Sequence, residues 1–190
     1  MDAYFYELTF TGIDYTKTTI VKGEYDGCTF IGCDFSNVHA SPIDFVSCAF
    51  INCNFSNTIV ANSAFKSVKF IECKIIGVKF YECDSFLLAL YFEKCQLNLS
   101  SFYQLNIPNT NFVNSNLQEV DFSETILSKA TFDNCDLKYA IFDQTNIENA
   151  NFITAFYFEI NPSKNKIKKA KFSETNVIGL LTAFNIVVEK

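Results

Sequence analysis

Residues 102–152, broken every five residues, read FYQLN IPNTN FVNSN LQEVD FSETI LSKAT FDNCD LKYAI FDQTN IENAN F. Every group opens on a large apolar residue: Phe102, Ile107, Phe112, Leu117, Phe122, Leu127, Phe132, Leu137, Phe142, Ile147, Phe152. Two places before each stands a residue that is mostly small or β-branched, as at Thr110, Ser115, Val120, Thr125, Ala130 and Cys135. The place between the two is often polar, as at Asn111, Asn116, Asp121, Asp136, Asn146 and Asn151. A helix repeats at 3.6 residues and a strand at 2.0, so neither explains a period of five. A chain that turns a corner after each short extended segment does. Four corners close a square, so one coil takes 20 residues and the next coil stacks on it at a strand spacing of about 4.8 Å. The interior is then a filled column of Phe and Leu.

The same beat runs outward in both directions. From Phe5 to Phe80 it holds for 16 units, in which only Ala40 is not large and apolar at the inward position. It slips by two residues within Tyr81–Tyr91 and resumes from Phe92 to Val177 for 18 units, with Tyr157 and Pro162 among the inward positions. The slip reads as a bulge, or as a joint between two halves of a rod. Pro162 has no amide donor and is expected to break the ladder locally. Cysteines also stack at a separation of 20: Cys28 on Cys48, and Cys33 on Cys53 on Cys73. Their side chains point the same way, which disfavours disulfides. No Cys-x-x-Cys pair supports a metal, and the one histidine, His39, stands at an outward place. The eight cysteines are therefore read as small apolar core residues, and no cofactor or metal is expected.

With Cys33-Asp34-Phe35, Cys135-Asp136-Leu137, Ala150-Asn151-Phe152 and Ala170-Lys171-Phe172, the chain resembles the pentapeptide-repeat proteins over about residues 3–177. The resemblance implies an all-β fold, a right-handed quadrilateral β-helix of about eight to nine coils, or a rod of about 40 Å. Residues 1–177 form the solenoid on this reading and residues 178–190 a C-terminal cap, with a short apolar helix over 177–184 and a strand over 185–189. An open coil end needs covering.

The ending Gly179-Leu180-Leu181 … Phe184-Asn185-Ile186-Val187-Val188 is similar to that of the Qnr proteins, as are Cys33-Asp34-Phe35-Ser36 and Ile107-Pro108-Asn109-Thr110-Asn111-Phe112. Qnr proteins protect DNA gyrase and topoisomerase IV from quinolones and dimerise through this segment. The resemblance thus implies a homodimer interface at Val177, Leu180, Leu181, Phe184, Ile186, Val187 and Val188. Phe50 runs straight to Phe55 and Phe102 straight to Ile107, so the loops of Gram-negative Qnr proteins are missing. The chain looks like the loop-less Gram-positive members and the related mycobacterial fluoroquinolone-resistance protein.

Composition supplies an independent argument. The 190 residues carry 21 acids and 15 bases, for a net charge of −6, and all the bases are lysine. An acidic, arginine-free chain is a poor binder of nucleic acid or of anionic membranes, so no direct contact with either is expected. The start, Met1-Asp2-Ala3-Tyr4-Phe5, lacks the basic region of a secretory signal, and the longest apolar run, Phe86 to Phe92, is far below the ~20 residues of a spanning helix. These point to a cytoplasmic protein. Residues 1–160 sum to −10 and residues 161–190 to +4. Seven acids fall on outward positions in the C-terminal half of the rod: Glu119, Asp121, Glu124, Asp133, Asp136, Asp143 and Glu148.

A narrow acidic rod, doubled by a dimer, resembles duplex DNA in width and charge, and would dock on the DNA-binding saddle of a topoisomerase through these seven residues. A merely solubilising surface would carry the same charge. The lysines Lys164, Lys166, Lys168, Lys169 and Lys171 are either solvated or partners for acids across the dimer. One histidine, no phosphate-binding glycine loop and no paired acid and base argue against an enzyme. The remaining alternative is a structural or interaction module whose partner is not a topoisomerase.

Overall fold

Nearly every corner of the rod is made by one residue in the left-handed region. In the computed structural model, which describes residues 3–184 and 186–187, this residue lies two places after the inward Phe or Leu. Asn109 (φ 60°), Asn114 (49°), Glu119 (58°), Glu124 (56°), Asn134 (50°) and Asn149 (59°) are examples. A left-handed residue costs an ordinary side chain about 1–2 kcal/mol and is tolerated best by Gly and Asn. Accordingly Gly12, Gly27, Gly32, Asn37, Asn52, Asn57 and Asn62 hold corners of the first coils.

Between corners the segments pair in parallel with the coils above and below. Strands β1 (Ala3–Tyr6), β3 (Gly23–Asp26), β5 (Asp44–Val46) and β7 (Ala64–Lys66) form one sheet in that order. Strands β2 (Thr9–Thr11), β4 (Thr29–Ile31), β6 (Ala49–Ile51), β8 (Val68–Ile71), β9 (Leu90–Glu93), β10 (Asn111–Val113) and β11 (Thr131–Asp133) form a second, seven-stranded sheet. The remaining sides are ladders of single bridges, such as Ser101 to Asp121 to Ile141 and Asn106 to Ile126 to Asn146 to Lys166. The result is the quadrilateral β-helix that the period of five requires. Its sides are called A, B, C and D after the inward residues Leu117, Phe122, Leu127 and Phe132 of one coil.

Stacked rings fill the interior. On side D, Phe10, Phe30, Phe50, Phe70, Phe92, Phe112, Phe132, Phe152 and Phe172 form one column, with centroids 4.5–5.4 Å apart and planes within 15° of parallel. Rings on opposite sides B and D meet edge to face across the interior, as Phe102 and Phe112 do at 5.9 Å and 81°, the favourable geometry for two quadrupoles. The small residue two places before the ring does more than fill space. Its hydroxyl or thiol donates to the carbonyl of the inward residue one coil back: Thr125 to Phe102 (2.8 Å), Thr145 to Phe122 (2.8 Å), Cys135 to Phe112 (3.3 Å). Among the described residues no buried side-chain nitrogen or oxygen lacks a partner.

The slip is a bulge. Asp84 still pairs with Ala64, 20 residues back, while Leu90 pairs with Val68, 22 back, so the extra residues lie in Ser85–Ala89. Ser85 is exposed, Leu88 and Leu90 point inward, and Phe86 and Leu87 project into solvent. The second sheet runs unbroken from β8 to β9, so the bulge does not divide the rod.

Three local expectations are corrected. Tyr157 is not inward: it is 68% exposed at φ 61°, and Phe158 takes the interior place against Phe152 and Phe172. Pro162 is only half-buried. It cannot donate to the coil below, and among the described residues Ile141 bridges Asp121 but not Asn161, so the ladder does break there. The apolar C-terminal segment takes the form of two short 3-10 helices, Val177–Leu180 and Thr182–Phe184. Gly179 fixes the first against the last coil: its carbonyl accepts from Ile160 N (3.0 Å), and a Cβ there would lie 2.3 Å from the Phe158 carbonyl oxygen. No strand forms at Ile186–Val187. Asn185, Val188 and Glu189, the rest of that expected strand, lie outside the described residues.

All eight cysteines are free and buried. Burial pushes the thiols of Cys48, Cys83 and Cys135 from 9.0 up to about 12. These three are expected to stay unreacted with a disulfide reagent at pH 8 until the rod is denatured. Because they ionise at lower pH in the unfolded chain than in the folded one, their contribution is complete below about pH 9. It is lost as the pH rises toward 12, and urea midpoints at pH 8 and pH 10 measure it. Truncating a central rung, Phe112→Ala, is expected to cost about 3–5 kcal/mol in the same titration.

Candidate protein-interaction surface

The polar residue just before each inward position has a structural task. Its side-chain oxygen accepts the backbone N–H two residues on, closing an Asx turn into the corner. Asp121 accepts from Ser123 N (2.9 Å), Asp136 from Lys138 N (3.0 Å), Asn116 from Gln118 N (3.0 Å), Asn146 from Glu148 N (3.0 Å) and Asn151 from Ile153 N (3.1 Å). Asp and Asn serve this turn equally, so the fold does not dictate which of them stands at a given corner.

The rod sorts the seven predicted acids by side. Four gather on side B and its corners: Glu119 at the corner between A and B, Asp121 and Asp143 on B, and Glu124 at the corner between B and C. Glu124 and Asp143 are on adjacent coils, Glu124 N donating to the Asp143 carbonyl (2.8 Å). Asp136 lies on the neighbouring side A, one ladder bridge from Asn116. The other two are elsewhere: Asp133 is on side D, accepting from the Thr154 hydroxyl (2.7 Å), and Glu148 is on side C.

Neighbours hold the carboxylates of the group. Asp121 accepts from the Ser101 hydroxyl (3.2 Å) and Asp136 from the Gln118 amide (2.6 Å). Glu124 accepts from the Gln104 amide (2.8 Å) and the Tyr103 hydroxyl (3.2 Å), a contact that raises the Tyr103 ionisation. Asp143 pairs with Lys164 at 3.4 Å. Glu159, which the repeat does not place because it lies in the irregular stretch after Tyr157, lines the same groove as Asp143 and Lys164.

Lysines take the diagonal position. Lys166 and Lys168 lie on side C of the last coil, Lys171 on side D, and Lys169 at the corner between C and D, two levels above Lys129. Two lysines are exceptions: Lys138, on side A, lies over the Tyr139 ring at 5.0 Å, and Lys164, at the corner of side B, pairs with Asp143.

At the C-terminal end, a groove of about 950 Å³ runs between the last side-A segment and the cap, lined by Tyr139, Ile153, Tyr157, Asn176 and Ile178. Of the predicted dimer residues, Val177, Phe184, Ile186 and Val187 are exposed, at 40–87%. Leu180 and Leu181 are half-buried, with Leu180 packed on the core. Val188 lies outside the described residues. No helix is long and apolar enough to cross a membrane, and among the described residues no His, Cys, Asp and Glu cluster suits a metal.

The sequence profile of the pentapeptide repeat region matches residues 23–86 and 85–152, more than half of the chain. The chain belongs to the pentapeptide-repeat proteins. Among solved structures, the solenoid is similar to full-length QnrB1, a plasmid-mediated fluoroquinolone resistance protein. The TM-score is 0.56 at 14% identity, over 97% of this chain and 100% of that one. A trypsin-treated variant of QnrB1 gives 0.64 at 17% identity, over 99% and 92%. These identities establish the shared fold. No curated protein sequence is detectably similar to this pentapeptide-repeat chain.

The Asx-turn reading separates structure from charge. Asp121→Asn is expected to leave the urea midpoint of this pentapeptide-repeat protein nearly unchanged, whereas Asp121→Ala should cost about 1 kcal/mol.

Proposed function

We propose that this pentapeptide-repeat protein is a non-enzymatic, cytoplasmic DNA mimic that binds DNA gyrase or topoisomerase IV and protects it from quinolones, acting as a homodimer through its C-terminal segment. The observation that carries the reading is the sorting of charge. Asx turns on sides A and B of these coils are closed by Asp136 and Asp121 as well as by Asn116 and Asn161, while those on sides C and D are closed by Asn146 and Asn151 alone. Glu119, Glu124 and Asp143 extend the same strip. A straight, narrow strip of carboxylates presents a basic DNA-binding surface with the charge pattern of a phosphate backbone, and electrostatic complementarity both steers and orients such docking. The fold shared with QnrB1 places a comparable rod in a protein of fluoroquinolone resistance. Exposed Val177, Phe184, Ile186 and Val187 form an apolar end suited to an isologous contact.

The test is supercoiling by purified gyrase and decatenation by topoisomerase IV in the presence of ciprofloxacin. Added protein is expected to restore activity, and to inhibit at higher concentration without the drug. No effect in either arm for either enzyme would refute the proposal. The triple variant Glu119→Lys, Glu124→Lys, Asp143→Lys should weaken topoisomerase binding at least about tenfold with the fold intact, since none of the three closes an Asx turn. Sedimentation at two concentrations checks the dimer: Phe184→Asp with Ile186→Asp should give a monomer.

A further inference from the structure

We propose that the corner between sides C and D at the C-terminal end is a docking strip for the phosphate backbone of double-stranded nucleic acid, bound without sequence preference. Lys129, Lys166, Lys168, Lys169 and Lys171 are all exposed there. Among the described residues none of the five takes part in an ion pair, while the nearby Lys164 is committed to Asp143. The surface between them is rich in donors. The Asx turns of Asn146 and Asn151 use only the amide oxygens, and the N–H2 groups of Asn146, Asn149 and Asn151 donate to no protein atom among the described residues. Lysine ammonium groups and Asn amides are groups that hold phosphate oxygens. With no arginine in the chain, the rigid planar fork best suited to reading a base edge is missing, and flexible lysines on a backbone position without specifying.

The exclusion of nucleic acid drawn from the net charge of −6 does not reach this corner. A side of five residues at about 3.3 Å each is up to about 16 Å long, which puts Glu119 at the diagonal corner up to about 23 Å away and Glu124, at the corner between B and C, about 16 Å away, or two Debye lengths at physiological salt. A polyanion approaching from sides C and D therefore meets a local cluster of five positive charges, interrupted by the half-buried Glu148 on side C and by the exposed Asp133 and Glu174 on side D. An acidic patch of a second copy is the competing occupant. A flat acidic patch would need partners of fixed geometry, whereas flexible, unpaired lysines suit a backbone that offers charge along its whole length. The inference does not rest on the topoisomerase reading: it concerns the opposite corner and is tested without the enzyme. If both hold, one rod touches a topoisomerase on one edge and a DNA segment on the other.

The experiment is fluorescence anisotropy of the full-length protein with a labelled duplex of random sequence, over a salt series. Neutralising four to five phosphates gives a slope of log K against log salt of about −4, or about 250-fold weaker binding at 200 mM than at 50 mM. Each of Lys166→Glu, Lys168→Glu, Lys169→Glu and Lys171→Glu should flatten the slope by about one, and the quadruple variant should abolish binding. Glu119→Gln with Glu124→Gln should bind at least as tightly as the parent. Absence of binding at 50 mM salt would overturn the proposal. So would binding that survives the quadruple variant, or lysine variants that change the sedimentation of the free protein and leave its DNA binding unaltered. The single variants, one exposed side chain each, guard against a quadruple variant that fails to fold.

Discussion

The spacing of hydrogen-bonded strands, about 4.8 Å, and the separation at which aromatic rings stack are nearly the same length. This coincidence underlies the whole rod. Because the ladder sets each coil at that height, Phe112 lies on Phe92 at 5.2 Å and under Phe132 at 5.1 Å without straining either backbone or ring. Each inward residue then makes the same contacts as the one below it, and stability accumulates along one dimension. Where a hydroxyl or thiol stands two places earlier, as at Thr125 and Cys135, it also ties the unit to the carbonyl of the inward residue one coil back.

Much of this was legible in the residues. The inward positions, the coil length and the location of the slip follow from the spacing of Phe and Leu, since a buried site on a rigid ladder tolerates little else. The corners were legible in principle too. Asn37, Asn52, Asn57, Asn62 and Gly77 recur at the left-handed place, yet Glu119, Lys129 and Tyr139 adopt the same backbone there and blur the signal. What the period could not show was Tyr157 turning outward, because Phe158 beside it satisfies the core as well. The cap was harder still. An apolar run such as Val177–Phe184 fits an α-helix by composition, and only the close seat of Gly179 under the Phe158 carbonyl selects the tighter turns.

The candidate surface was half visible. Acids were countable along the chain, but a count does not say which share an edge. Folding divides the seven into a group around side B, with Asp136 beside it, and two outliers, Asp133 and Glu148. It also changes what two of them mean: Asp121 and Asp136 hold corners as well as carrying charge. The information lies in the contrast with Asn146 and Asn151, which do the same structural work without the charge. Chemically equivalent turns thus leave the surface free to be written separately on each edge.

The bulge at Ser85–Ala89 gives this arrangement a rule of length. Adding 20 residues to such a chain raises everything beyond by one level and moves no side chain to a new side. Adding five rotates everything beyond by a quarter turn and would carry Glu119 and Glu124 to a different edge. The two extra residues do neither: they bow out at one corner, with Phe86 and Leu87 displaced into solvent, and Phe92 lands directly on Phe70. The angular address of every later residue is therefore the same as if the insertion had never occurred, and the charged edges of the C-terminal coils stay aligned with the sides of the first four.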